Sequence, residues 1–93
     1  MGNGMTENDI FEAAIKVYGV DNQENMAIEE CAELIQAINK KHRGLEHNIP
    51  EEIADVEIML EQLKIANNCH KEVETIRKEK VERLYNNIID KCI

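Results

Sequence analysis

The sequence predicts an all-α fold, a four-helix antiparallel bundle assembling as an oligomer. Three observations carry that expectation. Apolar residues recur at helical rather than alternating spacing. Four Gly and one Pro in 93 residues leave long helices uninterrupted and provide few of the tight turns that many short strands would need. Aromatic residues make up only 3% and Trp is absent, so a core must be built from Leu, Ile, Val and Met on helices. The length fits a single domain spanning residues 1–93, with about residues 1–5 as a flexible start. A core this small also favours association between copies.

The first helix is expected over Asn8–Val17, with Thr6 as N-cap and Ile10, Phe11, Ala14, Ile15 and Val17 apolar. "YGVDNQ" then reads as a turn. The second helix is expected over Glu24–His42. Lys40, Lys41 and Arg43 suit the negative end of its dipole, and Gly44 is a stop signal. "GLEHNI" is read as the next loop. Pro50 opens the third helix from a first-turn position, followed by Glu51 and Glu52, and that helix runs to about Ala66. "NNCH" breaks the pattern, and the fourth helix follows from about Lys71 to Asp90. Short connections between successive helices imply antiparallel neighbours.

The net charge of −8 argues against nucleic acid or an anionic membrane as main partner. No apolar run approaches the ~18 residues of a membrane span. "MGNGMT" matches the loose myristoylation pattern, Gly2 followed by Thr6; the plainer reading is a flexible segment ahead of Met5. Cys31, Cys69 and Cys92 form no C-x-x-C and no disulfide framework, which points to a reduced, cytoplasmic protein.

The carboxylates are the anomaly. At about 100° per residue, the apolar arc of the second helix runs from Met26 through Leu34 and Ala27 to Ile28. Glu30 falls inside it, about 40° from Met26, and Glu33 falls on its margin, about 20° to the other side. Glu29 lies on the polar side. The third helix repeats the arrangement: Glu52 falls between Met59 and Leu63, and Asp55 sits at the edge beside Ala66. Each pair is spaced i, i+3, which makes its members neighbours on one face. Buried carboxylates must be ion-paired or bound to metal. Arg77 and Lys80 fall within the apolar stripe of the fourth helix, with Arg83 near one edge, so a buried salt-bridge network stands as an alternative to a metal site. Oxygen-only ligands suit a hard ion, Mg2+ or Mn2+.

Other residues have plainer readings. His42, His47 and His70 show no ligand spacing and read as surface residues. Cys31 reads as a small buried hydrophobe, and Met26 and Met59 as core. "KKHR" complements a helix end. Ala54, Ile58 and Ile65 form a second apolar stripe on the third helix, which needs cover that four short helices in one chain do not supply.

Taken together, "EECAE" (Glu29, Glu30, Glu33) followed by "EIAD" (Glu52, Asp55) resembles the E-E-x-x-E…E-x-x-D signature of the MazG-like all-α nucleoside triphosphate pyrophosphohydrolases, small single-domain bacterial and phage type. "AIEECAELIQAINK", "EEIADVEIMLEQLKI" and "KVERL" resemble the segments around that signature, and the likeness covers roughly residues 18–85. The spaced double motif is specific; either half alone is common on helices. The resemblance implies a homodimer or homotetramer with active sites near the subunit contact. It implies Glu30, Glu33, Glu52 and Asp55 as ligands of Mg2+ or Mn2+. Lys80 and Arg83, with Lys41, would meet phosphate, and Glu29 would orient or deprotonate the attacking water. The expected reaction is hydrolysis of a nucleoside triphosphate, NTP or dNTP, to the monophosphate and pyrophosphate. Phosphoribosyl-ATP enzymes share the fold, but "ADVEIML" lacks their aromatic–His pair.

Two other classes compete with this expectation. A non-catalytic acidic helical module, acting as a regulatory or antitoxin-like partner, would keep the motif without turnover. Few aromatics are present to stack on a base, namely Phe11, Tyr18 and Tyr85. A ferritin-like di-iron bundle would need Glu-x-x-His pairs, and the sequence contains none.

Overall fold

The computed structural model describes residues 4–92. It contains four helices, α1 (Glu7–Tyr18), α2 (Val20–His42), α3 (Ile49–Ala66) and α4 (His70–Cys92), and no strand among the described residues. The all-α class and the four helices agree with expectation. No described helix is long and apolar enough to cross a membrane. The Gly2 pattern lies outside the described residues.

Local chemistry sets the helix ends. Thr6 Oγ1 accepts from the Asp9 N–H at 3.1 Å, and Asp9 Oδ2 accepts from the Thr6 N–H at 3.1 Å, a reciprocal capping box. The expected turn "YGVDNQ" shrinks to one residue. Gly19, at φ 90°, makes the whole bend, in a conformation side chains resist. Asn22 Nδ2 then donates to the Tyr18 carbonyl at 2.7 Å, satisfying an end of α1 that a longer turn would leave to water. Helix α2 therefore starts four residues earlier than the expected Glu24.

Two joints share one solution. At the end of α2 the N–H of Gly44 (φ 73°) reaches the Lys41 carbonyl and the N–H of Leu45 reaches that of Lys40. At the end of α3, Asn68 takes the left-handed position at φ 49°, its N–H reaching Ile65 and that of Cys69 reaching Lys64. Both are Schellman motifs, with Gly and then Asn at the residue that must turn left-handed. "NNCH" is therefore a true turn.

Helices α2 and α3 form the principal packing layer, and α1 lies against both. Phe11 of α1 shares a cleft with Ala54 and Ile58 of α3, so α3's second apolar stripe is partly covered within the chain. Ala27, Ala37 and Met59 are the buried apolar residues. Met26 and Cys31, read as core, are exposed. The apolar arc of α2 is wider than its neighbours cover, and burial centres on Ala27 and Ala37.

The closed four-helix packing does not form within one chain. Helix α4 touches only α3, and none of its described residues is buried. The molecule measures 51 × 37 × 26 Å with a radius of gyration of 16.8 Å. A compact chain of this length would have a radius of about 12 Å.

Candidate metal centre

The site is built on the α2–α3 register. In the buried layer Gln23 Nε2 donates to Gln62 Oε1 at 2.7 Å. Seven residues onward along α2, and seven back along α3, stand Glu30 and Asp55; three more bring Glu33 and Glu52. Antiparallel packing thus places the two acidic pairs opposite each other. Ala27 and Ala37, buried on either side of this stretch, let the helices approach closely enough for carboxylates to meet.

Carboxylate oxygens of Glu30, Glu33 and Glu52 lie within 4.8 Å of one another. That spread is comparable to the roughly 4 Å between opposite ligands of an octahedral Mg2+. Asp55 adjoins Glu30 from α3, within hydrogen-bonding reach once one of the two is protonated. Glu52 is only 6% exposed. Its Oε1 accepts from Asn48 Nδ2 at 2.8 Å, while its Oε2, like Glu30 Oε2, is buried without a partner.

The electrostatics follow from this crowding. Burial first, then the negative charges of Glu33 and Asp55, push the Glu30 carboxyl up to about 6. Glu52 is also raised, first by burial and then by Glu33, with Asn48 opposing. No cation of the described residues answers them: the one ion pair is Lys64 with Glu61, at 2.8 Å on α3. Arg77 and Lys80, the candidates for a buried salt-bridge network, are exposed on α4. A hard cation fits the donor set: the ligands are carboxylate oxygens, and two buried oxygens lack any partner.

Glu29 is exposed on α2, one helical turn before Glu33. The expected cations stand apart. Lys41 is exposed at the end of α2, and Lys80 and Arg83 are exposed on α4, which makes no contact with α2. The structure brings the acids together and leaves the expected phosphate-binding cations outside them.

Three contributors go beyond the expected site residues. Asn48, within the expected loop, precedes α3 as its N-cap residue, and its amide donates to Glu51 Oε2 (2.9 Å) and Glu52 Oε1. Gln23, within the expected turn, lies on the same face of α2 as Glu30. Gln62 sits at the margin of the α3 stripe, and its partnership spans 39 residues. An unbroken 3.6-residue period from Gln23 through Ala27 to Glu30 was the available signal.

No family model, no curated protein and no solved structure matches the chain.

Proposed function

We propose that the chain is a Mg2+-dependent nucleoside triphosphate pyrophosphohydrolase of the MazG-like kind, taking an NTP or dNTP and water to the monophosphate and pyrophosphate. The observation that supports this most is the pair of buried, unpartnered oxygens on Glu30 and Glu52, in a carboxylate cluster that no cation of the described residues neutralises. The double acidic motif on which the sequence resemblance rests is formed by the same residues.

In this reading Glu30, Glu33, Glu52 and Asp55 hold the cation, Mg2+ or Mn2+. A bound divalent ion supplies positive charge for phosphate oxygens and lowers the pKa of water. Asn48 holds Glu52 in place through Oε1, leaving Oε2 free to ligate. A bound cation would compete with protons for Glu30, whose carboxyl its surroundings push up to about 6. Glu29, exposed one residue before Glu30, accepts the proton of the water that adds to the α-phosphorus as the bond to the departing pyrophosphate breaks. Lys41, Lys80 and Arg83 neutralise the phosphates. Because α4 does not reach α2 in its own chain, Lys80 and Arg83 serve the site from a second copy, in a homodimer or homotetramer. The acidic surface suits no nucleic-acid or membrane partner, and the free cysteines suit a cytoplasmic setting.

The test is product analysis over a panel of NTPs and dNTPs with Mg2+, Mn2+ or chelator. Monophosphate and pyrophosphate should form only with metal, and Glu52→Gln should abolish them. Undiminished hydrolysis by Glu52→Gln would refute the assignment.

The separation of Lys80 and Arg83 from the acids favours a second reading, a non-catalytic acidic helical module with a regulatory partner. Calorimetry with Mg2+ and a non-hydrolysable nucleotide separates the two, since such a module binds neither.

A further inference from the structure

The cleft between α1 and α3 is an apolar floor with acids around it. Phe11, Ala54 and Ile58 form the floor, and Glu7, Glu57 and Glu61 stand at its rim, in a cavity of about 550 Å3. Phe11 is half-buried and is the single Phe of the chain. Ile58 is 44% exposed, so this part of the second apolar stripe of α3 stays open after α1 has packed. At about 100° per residue, Ala54, Glu57, Ile58 and Glu61 lie roughly 140–240° around α3 from Glu52. The cleft is therefore on the face turned away from the carboxylate cluster.

The charges decide what can cover this floor. Every charged residue lining the cleft is a glutamate. Among the described residues one cation answers them, Lys64, bonded to Glu61 at 2.8 Å; Glu7 and Glu57 have no ion pair there. Glu57 and Glu61 stand one turn apart and repel each other. A neutral or acidic surface closing over the floor would strip water from these carboxylates and leave them unpaired. A partner therefore has to bring positive charge. The same argument removes this face of a second copy. Helices α1 and α3 carry one basic residue each, Lys16 and Lys64, so a two-fold contact would set like charges against each other.

The aromatic ring decides between the two basic side chains. An arginine guanidinium is planar, stacks on a ring face and donates through a fork that carboxylates accept. A lysine ammonium is a point charge that holds its water more tightly. The cavity falls in the roughly 300–1,000 Å3 range of ligand sites, which leaves room for an arginine and an apolar neighbour.

We propose that the α1–α3 cleft docks an arginine of a partner protein, in a segment where apolar side chains flank it. The guanidinium lies on Phe11 among the glutamates, and the flanking side chains cover Ala54 and Ile58. This surface is separate from the carboxylate cluster and does not rest on the pyrophosphohydrolase reading.

The probe is acetyl-Leu-Arg-Leu-amide, titrated at low salt into the isotope-labelled full chain and followed by NMR. Saturable shifts should centre on Phe11, Ala54 and Ile58. The same peptide with citrulline, which keeps the shape and loses the charge, should bind about tenfold more weakly. Glu57→Gln/Glu61→Gln should weaken the arginine peptide to a similar degree and bind Mn2+ as the parent does. Shifts centred on Glu33 and Glu52, a citrulline peptide that binds equally well, or undiminished binding by Glu57→Gln/Glu61→Gln would each overturn the inference. So would an Ile58→Lys protein that sediments as a smaller assembly than the parent, which would assign the cleft to a contact between copies.

Discussion

Gln23 Nε2 and Gln62 Oε1 meet at 2.7 Å in the buried layer between α2 and α3, in the register that sets Glu30 against Asp55 and Glu33 against Glu52. A one-residue slip of either helix would rotate its face by about 100° and break both the amide contact and the acid cluster. The pair therefore serves two purposes: it satisfies two buried polar groups, and it keeps the carboxylates opposed.

Removing one amide should show both. Gln62→Ala strands the Gln23 side chain in a buried position, a change that costs about 1–3 kcal/mol. Urea unfolding should report that loss, and Mn2+ titration should report weaker binding. Replacing both glutamines by Leu should recover part of the stability, because no orphaned amide remains.

Glu52→Gln should separate stability from function. The substitution removes a buried carboxylate crowded by Glu33 and Asp55, so the chelator-treated protein should melt higher than the parent. Metal binding and nucleotide hydrolysis should fall to background. A lower melting temperature in chelator would contradict the crowding argument.

Stability without metal should fall as pH rises. The folded-state pKa of Glu30 lies at about 6, above its ordinary 4.5, so the fold prefers the protonated form. That preference is fully present below pH 4.5 and is lost as pH rises through 6. In chelator, the melting temperature should therefore be higher at pH 5 than at pH 7.5. Affinity for Mg2+ should run the other way, weakening below pH 6 as protons compete for the same oxygens.

Divalent metal at neutral pH should stabilise the fold by linkage. At a hundredfold excess over its dissociation constant, a ligand bound only by the native state adds about 2.7 kcal/mol. Calorimetric scans with and without Mn2+ should show the upward shift in the parent and none in Glu30→Gln/Glu52→Gln. An equal shift in both would place the metal elsewhere.

Asn48→Ala should weaken the centre without emptying it. Its amide bridges Glu51 and Glu52 and holds one Glu52 oxygen so that the other stays free. Without it, Glu52 gains rotamer freedom and the opposing, charge-favouring contact is lost. Metal affinity should drop severalfold by fluorescence or calorimetric titration, while the chain keeps its helices.

Helix ends were legible where one or two residues settle them. Thr6 with Asp9, Gly44 and Pro50 each act through their own backbone or a partner within three positions, and the helices start or stop there. The bend at Gly19 is shorter than the polar string YGVDNQ suggests, because one glycine at positive φ and the Asn22 side chain suffice. The acidic cluster was half legible. Periodicity put Glu30 and Glu52 inside apolar stripes, but it did not say which residues each would meet.

By itself, then, the sequence determined four helices, most of their limits, and four carboxylates at or near inward-facing positions of α2 and α3, all consequences of contacts spanning a turn or so of chain. Only the tertiary structure decided that Gln23 pairs with Gln62, that Glu30, Glu33 and Glu52 converge with two oxygens unpartnered, and that α4 stands off from α2. The physical reason is range. Periodicity records which side of a helix is apolar, while register and docking depend on how distant surfaces fit, which no local repeat encodes.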